Sequence, residues 1–318
     1  MLRTVILIFL FLGFATPTMA SQTQGIAVSI KPLHALVQGI MGNTGEADLL
    51  MRQSASPHGY SLRPSQLRLL QKARAVFYID DAFEHFLRNA LGNLPPTVEV
   101  IEIAHQPGME ILPLRDNDDW GDHDHSVQGH QEKSDHTNTD HDHDEDDLHI
   151  WLDTDNARTM VEIITRKLGE IYPDNKPIYR KNANSLLGRL ELLDKDLTSI
   201  LDPVKGKPYI VLHDAFQYFD HQHGLNGVGS ITVEPNQPPS ITDVQKIRDK
   251  LLDKDVICVF REPQFSDRLI ETVIEGSSVR VGTLDPIGAS LEQTPDFYFL
   301  LLLNLANDFA ACIDGDPT

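Results

Sequence analysis

Three histidines and one aspartate stand where a divalent cation would find donors. They are His58 in "SASPHGYSLRPSQ", His149 in "DLHIWLD", His213 in "YIVLHDAFQYF" and Asp285 in "VGTLDPIG". Neutral imidazole is a common ligand for zinc and its neighbours, and a carboxylate can complete such a set. A lone histidine is more often structural, so spacing alone leaves both readings open for each. All four lie at junctions between β-rich runs and loops, where open α/β sheets bind ligands.

A second group of histidines has a different character. From Asp116 to Asp147 the chain carries 13 acidic residues and one lysine, a net charge of −12, with His123, His125, His130, His136, His141 and His143 among them. Ordering a backbone costs about 1–2 kcal/mol per residue, and almost no apolar area here offsets it. A mobile loop over 116–147 is therefore expected. Its histidines and aspartates are candidate weak metal sites, and a solvated acidic insertion is the plainer alternative. A selective site needs ligands fixed by rigid elements, which favours the four junction residues.

The surrounding elements alternate. "GIAVSI", "ARAVFYID" and "VEVIEIA" read as strands, with "RPSQLRLLQKA" and "AFEHFLRNAL" as helices among them. After the tract, "DTDNARTMVEIITRKLGEIYP" is a helix with an Asp or Thr cap that stops before Pro173. "DNKPIYRKNANSLLGRLELLDKDLTSIL" then sets Ile178, Leu186, Leu190, Leu193, Leu197 and Leu201 on one face of a long rod. The alternation restarts with "KPYIVLHD", "AFQYFDHQHG", a helix with Ser240 and Asp243 at capping-box spacing, "VICVFRE" and "VRVGTLDP". The fold class is α/β: two Rossmann-like lobes joined by one long rigid helix, with a metal site in the cleft between them. The partition is residues 1–20 as a signal peptide, 21–172 as the first lobe with the tract inside it, 173–202 as the linking helix and 203–318 as the second lobe.

The first 20 residues have one arginine, an apolar run from Val5 to Phe14 and small residues ending at Ala20, the layout of a secretory signal. A membrane span needs about 20 apolar residues, twice that run. No cysteine follows the expected cleavage point, so a soluble, exported protein without a lipid anchor is expected. In that compartment the two cysteines, Cys258 and Cys312, are expected to pair. The apolar segment before Cys312 is interrupted by Asn304 and Asp308 and reads as a buried terminal helix. A formal charge of −20 disfavours nucleic acid, whose phosphates are held by clustered lysine and arginine.

"SPHGYSLRPSQ", "HIWLD", "VLHDAFQYF" and "TLDPIG", with a histidine-acid tract just before the second, resemble in order the metal-binding proteins of bacterial ABC importers, cluster 9, ZnuA type. The likeness covers nearly the whole chain after residue 20, and the cysteine pair looks like the C-terminal disulfide of such proteins. It implies a periplasmic receptor that captures Zn²⁺ and delivers it to a membrane permease driven by a cytoplasmic ATPase. The family's three zinc histidines fall on His58, His149 and His213, and the fourth place on Asp285 or water. Pro57 departs from relatives with a glutamate before the first histidine.

Three imidazoles suit a borderline ion, whereas manganese-type relatives carry a carboxylate where His213 stands. A manganese importer receptor, and a zinc buffer or adhesin with no transport role, are the alternatives. Catalytic zinc also uses three histidines and an open position, but no serine or cysteine nucleophile motif and no general-base arrangement accompanies them, so an enzyme is not expected. His34 reads as a helix residue, and His221 and His223 as surface groups.

Overall fold

The computed structural model describes residues 24–52, 56–115, 120, 146–232 and 239–315. The expected signal peptide and the six tract histidines lie outside those residues.

The first lobe is built from β1 (Ile26–Val28), α1 (Lys31–Met41), β2 (Asp48–Leu49), α2 (Pro64–Lys72), β3 (Ala75–Tyr78), α3 (His85–Leu91) and β4 (Glu99–Glu102). Its strands run parallel in the order β2-β1-β3-β4. β1 and β3 are buried along their whole length, which is why they read as continuous apolar runs. His34 is on α1, as expected, with Nε2 2.9 Å from the Ala47 carbonyl oxygen.

Two short strands, β5 (Leu112–Pro113) and β6 (Asp146–Asp147), pair antiparallel and form a stem on either side of the tract. The expected loop of 116–147 is thus too long at its end. Asp147 is buried because its carboxylate is used by the neighbouring residues, and Trp120 is buried beneath the Arg115 guanidinium, 3.8 Å from its ring centroid.

α4 (Thr154–Ile171) starts where Asp153 accepts hydrogen bonds from the amides of Asp155 and Asn156. α5 (Lys176–Leu201) is the linking rod, about 39 Å long at 1.5 Å per residue. It buries Tyr179, Ala183, Leu186, Leu190, Leu193, Leu197 and Leu201 against α1 and α4 of the first lobe and α9 of the second. Ile178 is only half-buried, and the adjacent Tyr179 takes the core position.

The second lobe contains β7 (Pro208–His213), α6 (Gln217–His223), β8 (Asn226–Thr232), α7 (Ile241–Asp253), β9 (Cys258–Arg261), α8 (Arg268–Ile274), β10 (Arg280–Thr283) and α9 (Phe297–Asp314). Its sheet is parallel, ordered β10-β9-β7-β8. Ser240 and Asp243 form the expected capping box on α7. β8 was not anticipated, because "NGVGSIT" has little β propensity. Gly227 within it is required by close packing, since a Cβ there would stand 3.0 Å from Trp120 and from Asp220. His223 is buried against Phe219 rather than exposed, at a ring separation of 4.9 Å.

α9 is apolar enough to cross a membrane by composition, but Phe297, Tyr298, Leu301, Leu302, Leu305 and Phe309 on it are buried in the protein core. Cys258 and Cys312 form a disulfide that ties α9 to β9. Closing a loop of 54 residues stabilises by about 4 kcal/mol on the chain-entropy model.

The lobes share one continuous hydrophobic core that runs from Ile26 through α5 to Phe309. Polar contacts cross between them as well. Lys31 Nζ donates to the carbonyls of Gly288, Ala289 and Leu291 at 3.0, 2.9 and 3.1 Å. Gly288 has φ of 66° and a Cβ there would meet the Phe297 ring at 2.6 Å, so this turn requires glycine. Trp151 Nε1 donates to the Pro286 carbonyl at 2.7 Å, and the Tyr298 hydroxyl donates to the Trp151 carbonyl.

Candidate metal centre

Each histidine is presented by a different device. His58 lies in a short 3-10 turn, Pro57–Gly59, whose start is fixed by Ser56: its Oγ accepts from the His58 amide at 3.3 Å. His149 sits between β6 and the turn Ile150–Leu152, and its amide donates to Asp147 Oδ1 at 3.0 Å. His213 is the last residue of β7, at the carboxyl end of a parallel sheet.

These residues, distant in sequence, converge. One ring nitrogen from each of His58, His149 and His213 lies within 4.8 Å of the other two. The ring centroids are 5.4–5.7 Å apart. A tetrahedral ion with bonds of about 2.0–2.1 Å needs nitrogens about 3.3 Å apart, so a small inward movement of the rings completes the geometry.

Carboxylates set the direction of two rings. His149 Nδ1 is 2.8 Å from Asp147 Oδ1, and His213 Nδ1 is hydrogen-bonded to Glu262 Oε1. An ionised carboxylate only accepts, so each Nδ1 carries the proton and each Nε2 turns its lone pair to the cleft. The Nε2 atoms of His58 and His213 are buried with no hydrogen-bond partner. Leaving such an atom unsatisfied costs about 1–3 kcal/mol, which a bound cation would remove. The residues therefore fit a metal ion.

The enclosing cavity has room for about one water-sized sphere, ≈ 20 Å³, and is lined in part by Phe83, Trp151, Phe265 and Ile287. Phe83 presents an edge to His58 at 5.1 Å and to His149 at 5.2 Å. Apolar walls around nitrogen donors disfavour the protonated form. Burial pushes His149 down to about 3, and burial, with the neighbouring His213 and His149, pushes His58 well below the usual histidine range. His213 differs: burial lowers it, but contact with Glu262 and the charge of Asp214 more than reverse that, and it is raised. Burial also raises Asp147 to about 6, so it is mainly ionised at neutral pH.

Asp285 stands outside this group. Its Oδ1 accepts from Gln264 Nε2 at 2.7 Å, and its Oδ2 from the Ser290 amide at 3.3 Å. The turn 285–290 thereby holds the carboxylate as a structural cap, beside the cavity wall rather than in the three-nitrogen cluster.

Sequence reasoning missed Asp147 and Glu262. Register would have suggested the second: β7 and β9 pair Val211 with Phe260, so two residues further His213 meets Glu262 on the same face. Arg115 was missed too. It donates to both Asp214 and Asp220, which balances the acid beside His213.

Two parallel α/β lobes bridged by a helical rod, with a cleft sized for one bare ion, define a solute-binding protein for a metal cation. The chain belongs to the ZnuA family: the model of the zinc-uptake complex component A, periplasmic, matches residues 26–312. That family is one of solute-binding proteins, not of enzymes. The high-affinity zinc uptake system protein ZnuA of Brucella abortus (strain 2308) is 37% identical over 317 residues, covering 95% of each chain. That of Yersinia pestis is 32% identical over 289 residues, covering 91% of each. Among solved structures, a crystal structure of ZnuA matches with a TM-score of 0.73 at 25% identity, over 93% of this chain and 100% of that one. A ZnuA deletion mutant with zinc bound matches with a TM-score of 0.73 at 26% identity, over 94% and 100%.

Proposed function

We propose that this chain is the zinc receptor of an ABC-type importer, holding Zn²⁺ as cargo through His58, His149 and His213. The observation that carries this is the convergence of three imidazoles, one ring nitrogen of each within 4.8 Å of the others, together with the buried, unpartnered Nε2 atoms of His58 and His213. Three neutral nitrogens suit zinc better than manganese, which prefers oxygen. The carboxylate of Asp285 is already engaged, so water takes the fourth position. In this reading residues 1–20 direct export, the mature chain works as a periplasmic monomer, and the cargo passes to a membrane permease with its ATPase. Weak sites in the tract at His123, His125, His130, His136, His141 and His143 would raise the local zinc concentration.

Chelator competition on the mature chain tests the assignment. One tight zinc equivalent is expected, and it should vanish when His58, His149 and His213 are all replaced by alanine. Undiminished tight binding by that triple variant would refute the site. Strict dependence of zinc-limited growth on this chain and on a permease separates a receptor from a buffer or an adhesin.

A further inference from the structure

We propose that Gln264 accepts, through Oε1, a hydrogen bond from the water that completes the coordination of the cargo ion, and so selects water over anions in that position. The proposal rests on the three-histidine reading of the centre and adds the residue that governs its open side.

Local structure presents this side chain. Past the end of β9, the Phe265 amide donates to the Glu262 carbonyl at 3.2 Å, closing a four-residue turn with Pro263 in its second place. Proline fixes its own φ at about −65°, which suits that place. One turn therefore carries three residues of the cavity wall, Glu262, Gln264 and Phe265. Glu262 is hydrogen-bonded to His213 Nδ1, and the Phe265 ring stands 5.9 Å from the His213 ring. Register brings a second turn alongside: Arg261 of β9 is opposite Thr283 of β10, and the Leu284 amide donates to the Arg261 carbonyl at 2.9 Å. Asp285 follows directly.

Asp285 fixes which way the amide of Gln264 faces. Its carboxylate accepts from the amides of Ile287 and Ser290 at 3.4 and 3.3 Å, and from the Ser290 hydroxyl at 3.4 Å. A carboxylate that gathers donors takes another donor, so Gln264 offers it Nε2, at 2.7 Å, and cannot present its oxygen there. Gln264 lines the cavity, whereas Asp285 does not. Oε1 is buried and has no hydrogen-bond partner among the described residues. Three buried, unpartnered atoms thus belong to residues of the same cavity wall: Nε2 of His58, Nε2 of His213 and Oε1 of Gln264.

The nitrogens are ligands for a borderline cation, and a neutral amide oxygen is a poor one, but it is a good acceptor for a polarised O–H. The cavity of ≈ 20 Å³ exceeds the roughly 10–15 Å³ that a single water needs. Water bound to a divalent cation is a strengthened donor, and one of its protons meets Oε1. An anion such as azide carries no proton and would set its charge against the negative end of the amide dipole. Because Asp285 holds Nε2, the amide cannot turn its donor towards the anion.

The test uses the mature full-length chain loaded with one equivalent of Co²⁺, whose visible bands report its ligands, and titrated with azide. Gln264→Leu should bind azide about tenfold more tightly than the parent, because the acceptor that opposes the anion is gone. Equal azide affinity in the two chains would overturn the proposal. Crystals of the zinc-loaded parent give a second measurement should the leucine variant fold poorly. A water bonded to the ion and about 2.6–3.0 Å from Gln264 Oε1 is expected there. Direct bonding of Oε1 or of Asp285 to the ion would overturn it. A parent that takes up no ion at the three histidines sinks both readings, whereas a loaded parent and variant with the same azide affinity sink this one alone.

Discussion

His213 sets the proton competition at the three-histidine centre. His58 and His149 are driven below the usual range, while His213 is raised through Glu262 and Asp214. Between pH 5 and 6.5 zinc therefore displaces about one proton, and log affinity should fall by about one per pH unit as pH falls. The sign follows from the raised value: the proton on His213 persists to higher pH, so affinity is complete only above it. A slope near three in a pH series of chelator competitions would contradict this assignment. Glu262→Gln removes the charged acceptor of His213 Nδ1 and should weaken zinc binding by about 10–100-fold at pH 7.5. The same change releases the His213 proton at lower pH, so the loss should shrink near pH 5.5. Unchanged affinity for the Gln variant would mean that the ring is positioned by packing alone. The three histidines were legible from residue type and motif. Glu262 and Asp147 were not, because an acid that orients a ligand has no spacing of its own in the chain.

Among the elements, the β5–β6 stem matters most to the site. It places Asp147 against His149, and Arg115, just past β5, ties the same region to Asp214 beside His213. These contacts use residues on either side of the tract and none within 121–145. Deleting residues 121–145, which spares the buried Trp120, should keep one tight zinc equivalent and reduce the total zinc bound at saturation. Loss of the tight equivalent in a chelator titration would show that the tract contributes ligands. Helices α4, α5 and α7 could be read in advance because caps and apolar stripes are local signals: Asp153, the Leu186–Leu201 stripe and Ser240. β8 and β6 could not. The glycines of one and the aspartates of the other are stable only through long-range neighbours, Trp120 and Asp220 for Gly227 and His149 for Asp147.

At the scale of the whole molecule, rigidity is the property that follows from the architecture. α5 packs on both lobes, the core is continuous, and Lys31, Trp151 and Tyr298 tie the lobes across the cleft. A hinge would have to open buried apolar surface and strand the Lys31 ammonium, whose pKa is already lowered by burial. Small-angle scattering should give a radius of gyration that changes by less than about 1 Å between zinc-free and zinc-loaded chains, against about 19 Å for a compact protein of this size. A larger contraction would establish a hinge. The sequence by itself determined the α/β alternation, the rod and the three candidate nitrogen donors, because periodicity, capping and imidazole chemistry act over a few residues. Only the tertiary structure decided that Asp285 is tied into its own turn, that Asp147 and Glu262 aim the rings, and that Gln264 joins the cavity wall. Those outcomes depend on strand register and on the packing of segments far apart in the chain.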